Sequence, residues 1–148
     1  MPKFSKKSQA LLDQVHPDLQ LVLSYAIKHI DFTVLDSTIR TKEQQAQYVK
    51  EGKSKTMNSK HLKKFLPKYG KEYSLAVDIM PYFSSTPHTD WEDKLEFCYL
   101  AGYILGIAEL LKSEGLIHSN IIWGGKWHKE KIAENTFVDM PHFEIEEA

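Results

Sequence analysis

Apolar residues recur along this chain with two different periods, and the switching between them predicts both helices and strands. Leu11, Leu12, Val15 and Leu19 follow the spacing of a helix face, with Ser8 as candidate N-cap. Pro17 suits the first turn of a new or continued helix, and residues 21–30 supply a broad apolar face. Phe32-Thr33-Val34-Leu35 is β-branched and aromatic and reads as a short strand. Thr41-Lys42-Glu43-Gln44 spells a capping box for a helix to about Glu51, where Gly52 stops it. Residues 52–60 are polar and loop-like, and Tyr73 to Met80 reads as a buried strand closed by Pro81. The longest helix is expected from Trp91 to about Glu114, with Leu95, Cys98, Tyr99, Gly102, Leu105 and Ile107 among its inward positions. Gly102 and Gly106 would let another backbone pack closely. Ile121-Ile122-Trp123, a Gly124-Gly125 turn and Phe143-Glu144-Ile145 finish the pattern. Helices and strands are interspersed without a regular βαβ rhythm, which predicts an α+β fold: a short, mainly antiparallel sheet flanked by helices.

Composition narrows the class of protein. The 148 residues carry no internal repeat and no Pro/Gly/Ser linker, so residues 1–148 are expected to form a single domain. Formal net charge is -1, so no global field recruits nucleic acid or an anionic membrane. The single cysteine, Cys98, cannot form an intrachain disulfide and reads as a small buried hydrophobe. The N-terminus is basic for a few residues but lacks an apolar signal-peptide core, so Sec export is not expected. Nor does any segment have the apolar length of a membrane span.

Candidate chemistry lies among the seven histidines. His16, His29, His88 and His118 stand in contexts of surface or capping residues, and His128 beside Trp127 has polar neighbours. His61 and His142 differ, because each lies next to a strand that carries or follows an aspartate. Asp78 interrupts the apolar run Leu75-Ala76-Val77-Asp78-Ile79-Met80. Alternation could place it on a solvent face between inward Val77 and Ile79; a metal ion would equally explain a carboxylate there. Two imidazoles and one carboxylate leave a fourth position open for water, the catalytic pattern for zinc. Asp139-Met140-Pro141-His142 adds a second carboxylate. On one regular strand Asp139 and His142 would point to opposite faces, so a bend at the Met-Pro step is needed to bring both to one centre. Trp123, Trp127, Tyr82 and Phe143 are read as core before cleft.

Ser59-Lys60-His61, Ala76-Val77-Asp78 and Asp139-Met140-Pro141-His142-Phe143-Glu144 together resemble the S-x-H…A-x-D…D-x-P-H-F-E pattern of the M15-type zinc peptidases. The branch they look most like is the phage L-alanyl-D-glutamate endopeptidases that act as endolysins. His16-Pro17-Asp18-Leu19, Arg40-Thr41 with Glu43-Gln44, Gly52-Lys53-Ser54, and Ile122-Trp123-Gly124-Gly125 with Trp127 extend the resemblance in order from about Leu12 to Glu144. It implies that His61, Asp78 and His142 are the zinc ligands and that Asp139 is the general base. It further implies that Arg40 holds substrate or the developing oxyanion, and that Ser59 lies at the rim of the site. The chain departs from the pattern in two places. Residues 62–77 separate His61 from Asp78, ten more than the family's H-x6-D spacing. Ser37-Thr38-Ile39-Arg40 also lacks the glycine common two positions before the arginine.

The resemblance implies a peptidase that hydrolyses the L-alanyl-D-glutamate bond of bacterial peptidoglycan stem peptides. A D-alanyl-D-alanine carboxypeptidase or dipeptidase, and a catalytically silent wall-binding relative, are the alternatives. Asp139 favours the first, since the carboxypeptidases commonly carry glutamate three before the last histidine. The expected partner is the stem peptide, with no nucleic acid, no stable membrane insertion and a monomeric chain. It would be made in the bacterial cytoplasm and reach the wall after the membrane is permeabilised. The cationic, aromatic segment from Leu62 to Tyr73 is expected to loop out beside the cleft.

Overall fold

The computed structural model describes residues 2–54, 56–126 and 139–146. Helix α1 (Lys6–Leu12) is capped by Ser5, whose Oγ accepts from the Ser8 amide. Ser8 is not the N-cap. Its buried hydroxyl bonds Thr33 Oγ1 and accepts from the Val34 amide, which ties α1 to the first strand. Helix α2 (Pro17–Ala26) starts at the expected proline, capped by His16, whose Nδ1 accepts from the Asp18 amide. Strand β1 (Phe32–Val34) and a 3-10 turn (Asp36–Thr38) lead to α3 (Lys42–Lys50), where both bonds of the Thr41–Gln44 capping box form.

Residues 64–73 make a hairpin that the hydrophobic pattern did not reveal: β2 (Lys64–Leu66) pairs antiparallel with β3 (Lys71–Tyr73). Its base is closed where the Leu75 amide donates to the Lys60 carbonyl. The excursion between His61 and Asp78 therefore leaves the main sheet and returns to the same place. Strand β4 (Ala76–Pro81), helix α4 (Lys94–Ser113), β5 (Ile121–Trp123) and β6 (His142–Ile145) complete the main elements. The four-stranded sheet is antiparallel with order β1-β4-β6-β5, so the α+β expectation holds.

One face of this sheet packs on helices. Val77, Ile79, Phe143 and Ile145 join Leu19, Val22 and Leu23 of α2 and Leu100, Ile104 and Leu111 of α4 in a continuous core. Burying each such side chain contributes about 1.5–3 kcal/mol. The inward face of α4 differs from the sequence expectation. It is Phe97, Leu100, Ala101, Ile104, Ala108 and Leu111, at helical i, i+3/i+4 spacing. Leu95 and Tyr99 are exposed, as is Gly102, while Cys98, Leu105 and Ile107 sit at the core margin. Nothing approaches the Cβ positions of Gly102 or Gly106, so neither serves close packing among the described residues. Trp123 and Phe143 are core as expected, but Tyr82 is exposed and stacks on His88. Trp127 and His128 lie outside the described residues.

Candidate metal centre

The second face of the sheet carries the chemistry. Asp78 on β4 and His142 on β6 are direct cross-strand partners. The Ile79 amide donates to the Pro141 carbonyl, which marks Asp78 and His142 as a non-hydrogen-bonded pair, with side chains at their closest approach. Alternation does turn Val77 and Ile79 inward, as expected. The face left to Asp78 is not solvent, however: all six residues of β4 are buried. His61 reaches the same point from the loop after α3, in a turn shaped by Ser59, whose Oγ accepts from the His61 amide.

His61 Nε2 lies 3.0 Å from His142 Nδ1 and 3.2 Å from Asp78 Oδ1, and His142 Nδ1 lies 3.3 Å from Asp78 Oδ1. Metal–ligand bonds of 2.0–2.2 Å in a tetrahedral site imply ligand atoms about 3.3 Å apart. The three donors are thus spaced as edges of one coordination shell, and all three residues are buried. Each is anchored through its other polar atom. His61 Nδ1–H donates to the Thr38 carbonyl at 3.0 Å, and since a carbonyl only accepts, Nε2 keeps its lone pair for a metal. His142 Nε2–H donates to Glu144 Oε1 at 2.8 Å, which leaves Nδ1 directed at the cluster. Asp78 Oδ2 accepts from Ser37 Oγ at 2.6 Å and Arg40 Nη2 at 3.2 Å, with Oδ1 turned to the histidines. The donor set fits a divalent metal ion. This cluster could bind one.

Glu144 and Lys60 carry roles that the residue patterns did not reveal. Strand period puts Glu144 on the face of His142, and Lys60 Nζ stands 2.8 Å from Glu144 Oε2. Lys60 adjoins His61, so one ion pair links the loop of the first ligand to the strand of the third.

The electrostatics follow from this arrangement. In the metal-free cluster the same ring nitrogens serve Asp78 instead: burial alone would raise its carboxyl, but the charge of His61 and the hydrogen bonds from His142 and His61 hold it well below the usual range. Burial would lower His142, yet hydrogen bonds to Asp78 and Glu144 prevail and bring it to about 9. Glu144, raised by burial, is pulled down to about 2 by hydrogen bonds from His142 and Lys60. Asp139 moves the other way: burial and then the Asp78 charge push it up, against the pull of His142, His61 and Arg40.

Asp139 reaches the site through the bend expected at Met-Pro, a turn in which the His142 amide donates to the Asp139 carbonyl at 3.1 Å. Gly124 makes the approach possible. A Cβ on Gly124 would collide with the Asp139 carbonyl oxygen, and the Gly124 carbonyl accepts from the Asp139 amide. Asp139 lines a cleft of about 550 Å³ with Asp78, Arg40, Tyr48, Lys53 and Trp91. Arg40 is largely engaged there: Nε donates to the Ser37 carbonyl, Nη1 to Gln45 Oε1 and Nη2 to Asp78, and its Cζ lies 4.7 Å from the Tyr48 ring centroid. Ser59 instead borders a separate depression with Lys60, Lys63 and Lys64. Of the other histidines, His16 caps α2, His29 and His118 are exposed, and His88 bonds the Phe83 carbonyl.

A sheet and an adjoining loop that bring two imidazoles and a carboxylate to one point, with another carboxylate in the adjoining cleft, have the layout of a metal-dependent hydrolase. Comparison with known proteins agrees. Residues 1–146 match the family model of the phage L-alanyl-D-glutamate peptidases, and the chain belongs to that family, a group of peptidoglycan hydrolases. The structure is similar to the L-Ala D-Glu endopeptidase ChiX of Serratia marcescens: TM-score 0.71, 26% sequence identity, over 97% of this chain and 89% of that one. No curated protein gives a significant match.

Proposed function

We propose that the protein is a zinc endopeptidase that cuts between L-alanine and D-glutamate in the peptidoglycan stem peptide, with the whole chain one catalytic domain. His61 Nε2, Asp78 Oδ1 and His142 Nδ1 are the ligands. The observation that carries this reading is the convergence of those three atoms, each oriented by a hydrogen bond behind it. Nitrogen and oxygen donors in this number suit zinc. When bound, zinc would polarise the scissile carbonyl and acidify the attacking water.

Asp139 is the general base: it removes a proton from the attacking water and returns it to the leaving nitrogen. Its raised carboxyl makes it a stronger base than a solvated aspartate, which favours the transfer. Arg40 fixes Asp78 through Oδ2. Three of its five N–H groups are taken up, and the remaining two can meet charge that develops on the substrate. Ser59 acts by shaping the turn that presents His61. The protein works as a monomer and lyses cells from within once the membrane is opened.

Digestion of purified peptidoglycan, followed by mass analysis of the new ends, tests the assignment. New N-terminal D-glutamate is expected. Release of D-alanine would instead identify a carboxypeptidase, and an unaltered wall would identify a silent binder.

A further inference from the structure

The cleft beside the ligand cluster holds a cation that hydrolysis itself does not require. Its position follows from the end of α3. Gly52 adopts φ 77 just beyond the C-cap, the Gly52 amide donates to the Val49 carbonyl, and the Lys53 amide donates to the Tyr48 carbonyl. This is the Schellman arrangement, which folds the chain back over the last helical turn. Lys53 is thereby returned to Tyr48, with Nζ 5.8 Å from the ring centroid. Beyond it, Ser54 and Thr56 are held by Gln45, fully buried, whose Nε2 donates to Ser54 Oγ and the Thr56 carbonyl. The same Tyr48 ring carries Arg40, and Arg40 touches Asp78. Lys53 is therefore one aromatic ring away from the guanidinium that contacts a proposed metal ligand.

Arg40 is occupied and nearly buried, with 11% of its side chain exposed. Lys53 is not so constrained. Its ion pair with Glu51 spans 3.3 Å between side chains 65% and 36% exposed, a kind of contact that contributes little and breaks readily. The cleft thus offers an anion a mobile ammonium on a fixed backbone.

The proposed substrate has such an anion. D-glutamate is joined onward through its γ-carboxyl in the stem peptide, so its α-carboxylate stays free, on the carbon that bears the scissile nitrogen. We propose that Lys53 forms a subsite for this α-carboxylate, an assignment that rests on the substrate reading above and deepens it. The subsite distinguishes a free α-carboxylate from an α-carboxamide, the two forms in which this position occurs. The ammonium can donate to either, but only the carboxylate answers its charge with an ion pair.

Two synthetic stem peptides, identical except for α-carboxylate or α-carboxamide on the D-glutamate, test the subsite. The readout is the ratio of their kcat/KM values with the native protein, Lys53→Met and Lys53→Arg. The native protein should favour the carboxylate about two- to fivefold, as an ion pair with a largely exposed ammonium implies. Lys53→Met should bring the ratio to about one, and Lys53→Arg should preserve most of it. A ratio near one in the native protein, or a preference that survives in Lys53→Met, overturns the subsite while leaving the scissile bond intact. If neither peptide is cut to leave N-terminal D-glutamate or its α-amide, the substrate reading falls and the subsite with it.

Discussion

Removing the carboxylate of Glu144 should weaken metal binding without touching a ligand. Glu144 Oε1 accepts from His142 Nε2 at 2.8 Å while Oε2 pairs with Lys60 at 2.8 Å. The first bond fixes which imidazole nitrogen carries the proton, and the second holds the carboxylate in place. A hydrogen bond to a charged group is worth about 1.5–3 kcal/mol, or roughly 10- to 100-fold in affinity. The same range is typical for partners that orient a metal-bound histidine. Glu144→Ala should therefore raise the Kd for zinc by about that factor. Glu144→Gln, which keeps an acceptor but loses the charge, should have a smaller effect. Competition against a chromogenic chelator gives the Kd, and thermal melts of metal-stripped protein separate weakened binding from general unfolding. Unchanged affinity in a folded Glu144→Ala variant would refute the orienting role.

Three further outcomes follow from the same geometry. Asp139→Ala should retain stoichiometric metal yet lose about 10²- to 10⁴-fold in kcat, the usual contribution of a general base; full activity would remove Asp139 from that role. Gly124→Ala, whose methyl group would strike the Asp139 carbonyl, should keep the three ligands and their metal while lowering kcat at least tenfold; an unaffected kcat would show that the contact does not position Asp139. The metal-stripped protein should lose stability as pH rises from 6.5 toward 9. His142 is held above its ordinary 6.5 at about 9, so its stabilising contribution is fully present below 6.5 and disappears as pH passes through 9. Apparent metal affinity should climb over the same window as that proton ceases to compete. Thermal melts and chelator titrations across this pH series would contradict the assignment if both stayed flat.

What the residues disclosed in advance were features set by neighbours in the chain. Thr41 with Gln44, Gly52 at a helix end and the β-branched runs at Phe32 and Ile121 each act within a few positions, and each appears where expected. The inward face of helix α4 is not legible locally, because aromatic and aliphatic residues lie all round it. Leu95 and Tyr99 suggest one stripe and Phe97, Leu100 and Ile104 another, and only the tertiary packing against α2 and β4 selects the second. Ser5 and Ser8 are equally good caps by type, and contact with Thr33 removes Ser8 from that role. The hairpin from Lys64 to Tyr73 is rich in lysine, which masks any alternation; its turn ends at Gly70, φ 64. At the site, His61, Asp78 and His142 stood out by motif and by the oddity of a carboxylate in an apolar strand. Lys60 and Glu144 meet across more than eighty residues, and local pattern contains no trace of such a pair.

Peptidoglycan cleavage before and after thorough chelation, and again after zinc is returned, probes the central claim most directly. The account predicts that new N-terminal D-glutamate ceases to form on chelation and reappears with one equivalent of zinc. It also predicts no such recovery in a folded His142→Ala variant. Cleavage at full rate in the metal-free protein would contradict the His61–Asp78–His142 centre.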